Sequence, residues 1–340
     1  MSGRPRHENG HGDGHEDGQG GQGAGPRQAR PSVVALGGGH GLAITLSAVS
    51  KYAGQVTAVV SGADDGGSSG RLKASWTGPA PGDVRRCLLA LAGPSPDEQA
   101  WAKALDYRFK GGDLDGHSLG NLVLVALSET SGDFAGAVAH VAGLLGARAK
   151  VLPATSVAVV LCAEQDEPHG NGGEGRLMGQ LVGQVKVAHA PGRLRRVWVV
   201  PPSPPVPEAV LEAIATADQV VIGPGSLFTS VLAVCAVPGI REALSARSAG
   251  RVYVCNVGLQ IGETGGFDAD DHLAALSDHG VVVDAVVCDP AAPVGALSTA
   301  AARAARPGGV QVAAAALVAA DGHSHDPCRL APVLERLAAQ

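Results

Sequence analysis

Apolar residues along this chain come in short unbroken runs, and many of those runs empty into glycine-rich polar stretches followed by apolar residues at helical spacing. Runs this short and continuous suit strands buried on both faces of a parallel sheet. The first covers 33–36, leads into Gly37-Gly38-Gly39-His40-Gly41, and is followed by a helix predicted over 42–50 from Leu42, Ile44, Leu46 and Val49. A second strand at 56–60 completes a strand, helix, strand unit, which is right-handed and parallel by the usual chirality rule. Further strands are expected over 151–161, 181–189, 195–200, 219–222, 251–257 and 281–287. Helices are expected from Asp83 as an N-cap, over 119–127, 134–146 and 208–217, from Asp271-His272 onward, and over 330–338. The polar excursion 165–175 predicts a hairpin loop, and the proline-rich 201–207 a stiff extended linker.

The fold class is therefore α/β, a Rossmann-like three-layer α/β/α arrangement around a mostly parallel sheet. Residues 1–30 carry Gly, His, Gln, Asp and Arg with almost nothing apolar, so a disordered tail is expected there, ahead of a single domain over 31–340. A small subdomain around 150–205 is compatible with the pattern. His7, His11 and His15 recur at helical spacing in the tail, but the glycines between them disfavour the helix that a metal site would need.

Composition narrows the function. The 340 residues include 45% hydrophobic ones, enough for a sizeable core. A net charge of −6 argues against a nucleic-acid binder, so any anionic ligand must be met locally. The six cysteines have no paired short spacing, which suggests reduced thiols and neither zinc nor a disulfide framework. No signal-peptide pattern and no long charge-free apolar run occurs, so a cytoplasmic protein without membrane insertion is expected.

Candidate chemistry gathers where predicted strands end. Gly37, Gly38, Gly39, His40 and Gly41 open a helix whose N-terminal amides suit phosphate, although the dinucleotide fingerprint fails because Leu42 stands where its third glycine belongs. At the end of the second strand, Asp64 and Asp65 are placed to hold ribose, an acceptor or a metal ion, and Ser68, Ser69 and Arg71 to approach phosphate. Asp83 caps a helix on which Arg85 and Arg86 form an anion clamp or a wetted face. Gly116-His117-Ser118-Leu119-Gly120 fits a nucleophile elbow, with Asp218 or Asp271 and His272 or His279 as partners, but the required strand before the serine is missing. A polar helix N-terminus directing His117, Ser118 and Asn121 at a ligand fits that stretch better. Gly223, Gly225 and Ser226 repeat the opening logic as a second anion-binding corner, and Asn256, Gln260 and Glu263 follow a later strand. Asn256 either contacts ligand or braces a loop.

With Gly37–Leu42, Ala63–Leu72, Gly82–Arg85, Gly116–Asn121, Ile222–Ser230 and Asn256 followed by Gly262-Glu263-Thr264 in order, the chain resembles the YvcK-like gluconeogenesis factors, within the wider group similar to 2-phospho-L-lactate transferase. The resemblance implies a CofD-like fold, a homo-oligomer, and a cytoplasmic regulator of cell shape and wall synthesis that binds UDP-sugars. The glycine loops would then cradle the diphosphate, Asp64 and Asp65 face sugar or metal, and Asn256 orient base or sugar. The alternative is a transferase moving a phospholactyl-type group from a nucleoside-diphosphate-linked donor, with magnesium held at Asp65 or its neighbour and the Asp pair stabilising phosphate charge. A serine hydrolase using Ser118 and a nicotinamide-dependent oxidoreductase are lesser alternatives. Two departures stand out: His40 replaces a threonine common in the group, and Val257-Gly258-Leu259-Gln260 replaces a Met-Thr-Gln neighbourhood.

Overall fold

The computed structural model describes residues 30–166, 177–248 and 250–339. Ten strands run β1 Ser32–Gly37, β2 Gln55–Val60, β3 Lys150–Pro153, β4 Val160–Asp166, β5 Leu177–Val182, β6 Leu194–Val200, β7 Gln219–Ile222, β8 Arg251–Val254, β9 Ala285–Cys288 and β10 Gln311–Ala314. Seven of them form one sheet in the order β10-β9-β8-β7-β1-β2-β3, with every neighbouring pair parallel. The chain builds outward from β1 to β3, then returns beside β1 as β7 and builds the other way. The strand order therefore reverses between β1 and β7, and a crevice opens at their C-terminal ends.

Alternate residues of each strand feed two cores. Val33, Ala35, Ala58, Val60, Val221 and Val254 face the helices Gly39–Val49, Pro81–Ala90, Phe134–Leu144 and Pro327–Ala338. Val34, Leu36, Val59, Ile222 and Tyr253 face the helices Glu208–Thr216, Pro238–Ser245 and Ala269–Asp278. The α/β/α layering thus follows from unbroken apolar strands, which need cover on both sides.

The remaining strands form an antiparallel sheet in the order β5-β4-β6. Its inner residues Leu161, Ala163, Val197 and Val199 join the same core as Val34 and Leu36, so the small sheet shares the main hydrophobic core. Its outer face shows Val160, Val182 and Val200 to solvent.

Several boundaries differ from the periodicity. The run expected as one strand over 151–161 divides at Pro153, after which the chain leaves the main sheet and re-enters the small one as β4. The strand expected over 181–189 stops at Val182. Gly183 takes φ +105°, and Gln184–Ala188 turns into a helix. Gly67–Leu72 is helical, the opening helix starts at Gly39 so that His40 and Gly41 lie in its first turn, and β8 and β9 are shorter than their apolar runs. Asp83 sits in the first turn of a helix that starts at Pro81, with Ala80 in the N-cap place. Pro96–Asp106 is a helix that apolar spacing does not single out; its signal is the Ser95 and Glu98 capping box. The tail and residues 167–175 of the 165–175 excursion lie outside the described residues. Among the described residues no single helix is long and apolar enough to cross a membrane.

Candidate functional site

Two glycine turns meet at the crevice. β1 ends at Gly37, Gly38 is extended, and Gly39 at φ +60° sends the chain into the helix Gly39–Val49. β7 ends at Ile222, and Gly223 at φ +75° leads through Pro224, Gly225 and Ser226 into the π-helical turn Leu227–Val231. The turns touch backbone to backbone: a Cβ on Gly41 would overlap the Pro224 carbonyl oxygen and lie 2.7 Å from Gly225 Cα. Thr45 Oγ1 donates to the Gly223 carbonyl at 2.7 Å and locks them together. Asn256 holds Gly225 from the other side, its Oδ1 accepting from Gly225 N at 3.1 Å and its Nδ2 donating to Gly225 O at 3.0 Å.

Above this junction lie two adjoining lobes. One, of about 420 Å³, is lined by Gly38–Gly41 together with Asp64, Asp83, Arg86 and Glu263. The other, of about 370 Å³, has Ile44, Val257, Leu259 and Pro293 on its walls, with Asn256 and Ser324 among its polar groups. His40, Gly41, Gly225 and Gln260 belong to both.

The two helix N-termini facing this space are not equivalent. At the second, Glu263 accepts from Phe228 N at 3.1 Å, from Thr229 N at 3.2 Å and from the Thr229 hydroxyl, and Gln260 accepts from Leu227 N at 3.2 Å. That corner is filled by the chain's own side chains. At the first, Asp83 reaches the Gly39 N–H and pairs with Arg86 at 2.6 Å, while the next two residues of the turn, His40 and Gly41, line the cleft. The helix carries no acidic residue in its own first turn and its N-cap residue, Gly38, supplies no side chain, so Asp83 from a neighbouring helix is the carboxylate at its N-terminus. Its partial positive charge is thus directed at whatever enters the cleft.

Burial pushes the Asp83 carboxyl up to about 6, with Arg86 opposing the rise and Asp64 adding to it. Burial also raises Glu263. Because the folded value of Asp83 lies above its ordinary 3.8, the native state binds the extra proton between pH 4 and 6, and stability falls as pH rises through that window. In Asp83→Asn this fall, at most about 3 kcal/mol for a two-unit shift, is expected to flatten. Urea melts across pH 4 to 7 measure it, and an unchanged slope would place the titrating group elsewhere.

A family model described as 2-phospho-L-lactate transferase CofD matches residues 33–321. The chain belongs to the CofD family. Within it, a gluconeogenesis factor from Halalkalibacterium halodurans is 42% identical over 262 residues, 76% of this chain and 77% of that protein. The gluconeogenesis factor of Bacillus subtilis is 41% identical over 252 residues, covering 74% and 75%. A crystal structure of a UPF0052-family protein from Bacillus halodurans superposes with a TM-score of 0.81 at 35% identity, over 90% of this chain and 99% of that one. The CofD-family α/β architecture, with its parallel sheet, is shared.

Of the residues singled out by sequence, this CofD-family chain brings Gly38, Gly39, His40, Gly41, Asp64, Asp83, Gly225, Ser226, Gln260 and Glu263 to the larger lobe, and Asn256 to the smaller. Asn256, Gln260 and Glu263 spend polar atoms on the second glycine turn, so bracing is part of their work. Gly37 and Gly223 shape the strand ends. Asp65 turns away: its Oδ1 accepts from Val185 N at 2.9 Å and anchors the short helix after β5. Among the described residues no three His, Cys, Asp or Glu side chains gather as a set able to hold a metal ion.

Arg85 is buried and paired with Asp106, against Gly120, and its neighbour Arg86 lines the cleft instead. Ser68, Ser69, His117, Ser118 and Asn121 form a buried polar layer behind Asp64. Ser68 Oγ lies 3.0 Å from His117 Nδ1, and Asn121 Nδ2 donates to Ser69 Oγ at 3.5 Å. Arg71 donates to the Asp115 carbonyl and ties this layer's two segments together. Ser118 is a buried N-cap accepting from Asn121 N, and its supposed partners are engaged elsewhere: Asp218 with Ser32, Asp271 with Arg193, His272 with Tyr253, His279 with Val197. The hydrolase arrangement does not form. Gln184, His189, Thr229 and Ser230, which the sequence did not single out as site residues, also line the larger lobe. The first two lie in the segment expected as a strand, where nothing local marks them.

Proposed function

We propose that this chain is a nucleotide-sugar-binding regulator of the gluconeogenesis-factor type, binding a UDP-sugar in the two-lobed cleft and acting in the cytoplasm on cell shape and wall synthesis. The observation that carries the binding reading is the open first turn of Gly39–Val49 at the strand-order reversal, where the lobes meet. A diphosphate at His40 and Gly41 would meet main-chain N–H groups and the helix dipole. The smaller lobe, with apolar walls and the Asn256 amide, suits a base; the larger, rich in acceptors, suits a sugar. Titration calorimetry with UDP-N-acetylglucosamine tests it: saturable heat that is lost in Gly39→Asp is expected, since Gly39 has a left-handed backbone that strains any other residue and an added side chain would meet the Arg86–Asp83 pair. No heat at millimolar ligand would end the proposal.

A second reading has one observation in its favour. Asp64 stands close enough to Asp83 for its charge to raise the Asp83 carboxyl, and such a pair beside a diphosphate can hold magnesium in a phospholactyl-type transfer. Here Asp64 with Asp83, in place of Asp65, would hold the ion. Turnover of a nucleoside-diphosphate-linked donor with magnesium, abolished by Asp64→Asn, would establish it, whereas binding without turnover would favour the regulator.

A further inference from the structure

The nature of the group beyond the diphosphate is written in the charge of the larger lobe. Three carboxylates line it, Asp64, Asp83 and Glu263, against one guanidinium, Arg86, which is already paired with Asp83 at 2.6 Å. All three are buried. Asp64 gives one oxygen to Gly66 N at 3.0 Å, while its other oxygen faces Gly82, whose missing side chain leaves room for it. Elsewhere on the wall, Gln184 Nε2 is spent on the Thr229 carbonyl at 2.9 Å, and His189 Nδ1 lies 2.8 Å from the Val185 carbonyl oxygen. Glu263 spends its oxygens on Phe228 and Thr229, so the acceptors the lobe offers are those of Asp64 and Asp83, and carboxylates outnumber the one guanidinium on its wall.

Carboxylates accept readily from hydroxyl groups, and each such charge-assisted bond is stronger than a neutral one. A second anion entering the same enclosed space instead meets like charge with little water to screen it. We infer that the larger lobe selects an uncharged, hydroxyl-rich group on the β-phosphate and rejects an anionic one, so that neutral sugar nucleotides bind while nucleoside triphosphates and uronic-acid nucleotides do not. This selectivity rests on the nucleotide-sugar reading above and adds to it which sugars fit.

UDP-glucose and UDP-glucuronate differ by one carboxylate on the sugar, and UTP carries a phosphate in its place. Calorimetry of the full chain with these three ligands in EDTA is expected to show UDP-glucose at least about tenfold tighter than either anion. In Asp64→Asn and Asp83→Asn, tested separately, the ratio of UDP-glucose to UDP-glucuronate affinity is expected to narrow. Equal affinities in the wild-type chain would overturn the selectivity and leave the nucleotide-sugar reading standing. If magnesium brings UTP level with UDP-glucose, the carboxylates serve a cation and the inference fails. No binding by any of the three removes both readings.

Discussion

Gly41→Ala is expected to destabilise the fold by about 2 kcal/mol and, on the function proposed above, to lower UDP-sugar affinity by more than about tenfold. The added Cβ overlaps the Pro224 carbonyl oxygen and crowds Gly225 Cα, both of them backbone, so no side-chain rotation relieves the contact. Neither partner can retreat cheaply. Thr45 fixes the Gly223 carbonyl and Asn256 holds Gly225 by both its N–H and its C=O, while the helix bearing Gly41 packs its Leu42 and Leu46 into the core. The strain must therefore separate the two turns and displace the His40 and Gly41 amides from the cleft. Denaturant melts and calorimetry measure the two effects; unchanged affinity would mean that the junction does not form the phosphate contact.

The second large effect is expected at Glu263. Replacement by alanine leaves the Phe228 and Thr229 N–H groups and the Thr229 hydroxyl without their acceptor in a buried place. Each unsatisfied group costs about 1–3 kcal/mol, so a loss of about 3 kcal/mol is expected after partial relaxation. Glu263→Gln keeps an acceptor for the two amides, and a loss under half as large is expected. Urea melts of the two variants separate these cases. Equal losses would show that charge on Glu263, more than its acceptor geometry, holds the turn.

Much of the architecture is legible in the sequence because parallel strands covered on both sides must be apolar throughout, and 33–36, 56–60 and 219–222 are. The places where periodicity misled have local physical causes. At Pro153 and Gly183 single residues end apolar runs that look longer, and at Pro96–Asp106 a cap announces a helix whose apolar spacing is weak. Site residues were legible where glycine marks a close approach of backbone, as at Gly39, Gly41 and Gly225. They were not legible where adjacent side chains divide their labour. Arg85 and Arg86 are neighbours on one helix and project about 100° apart, so one is buried against Asp106 and the other reaches the cleft. Asp64 and Asp65 part in the same way, one toward the cleft and one toward Val185.

The sequence by itself determined the buried strands at 33–36, 56–60 and 219–222, the two glycine turns that follow, and the family to which they belong. Only the tertiary structure decided that the first turn lines the cleft beside Asp83 and Arg86 while the second is filled by Glu263, because that carboxylate arrives from 34 residues further along the chain. Nothing local to Gly223–Ser226 specifies its partner. Which carboxylate reaches which helix N-terminus is a property of packing.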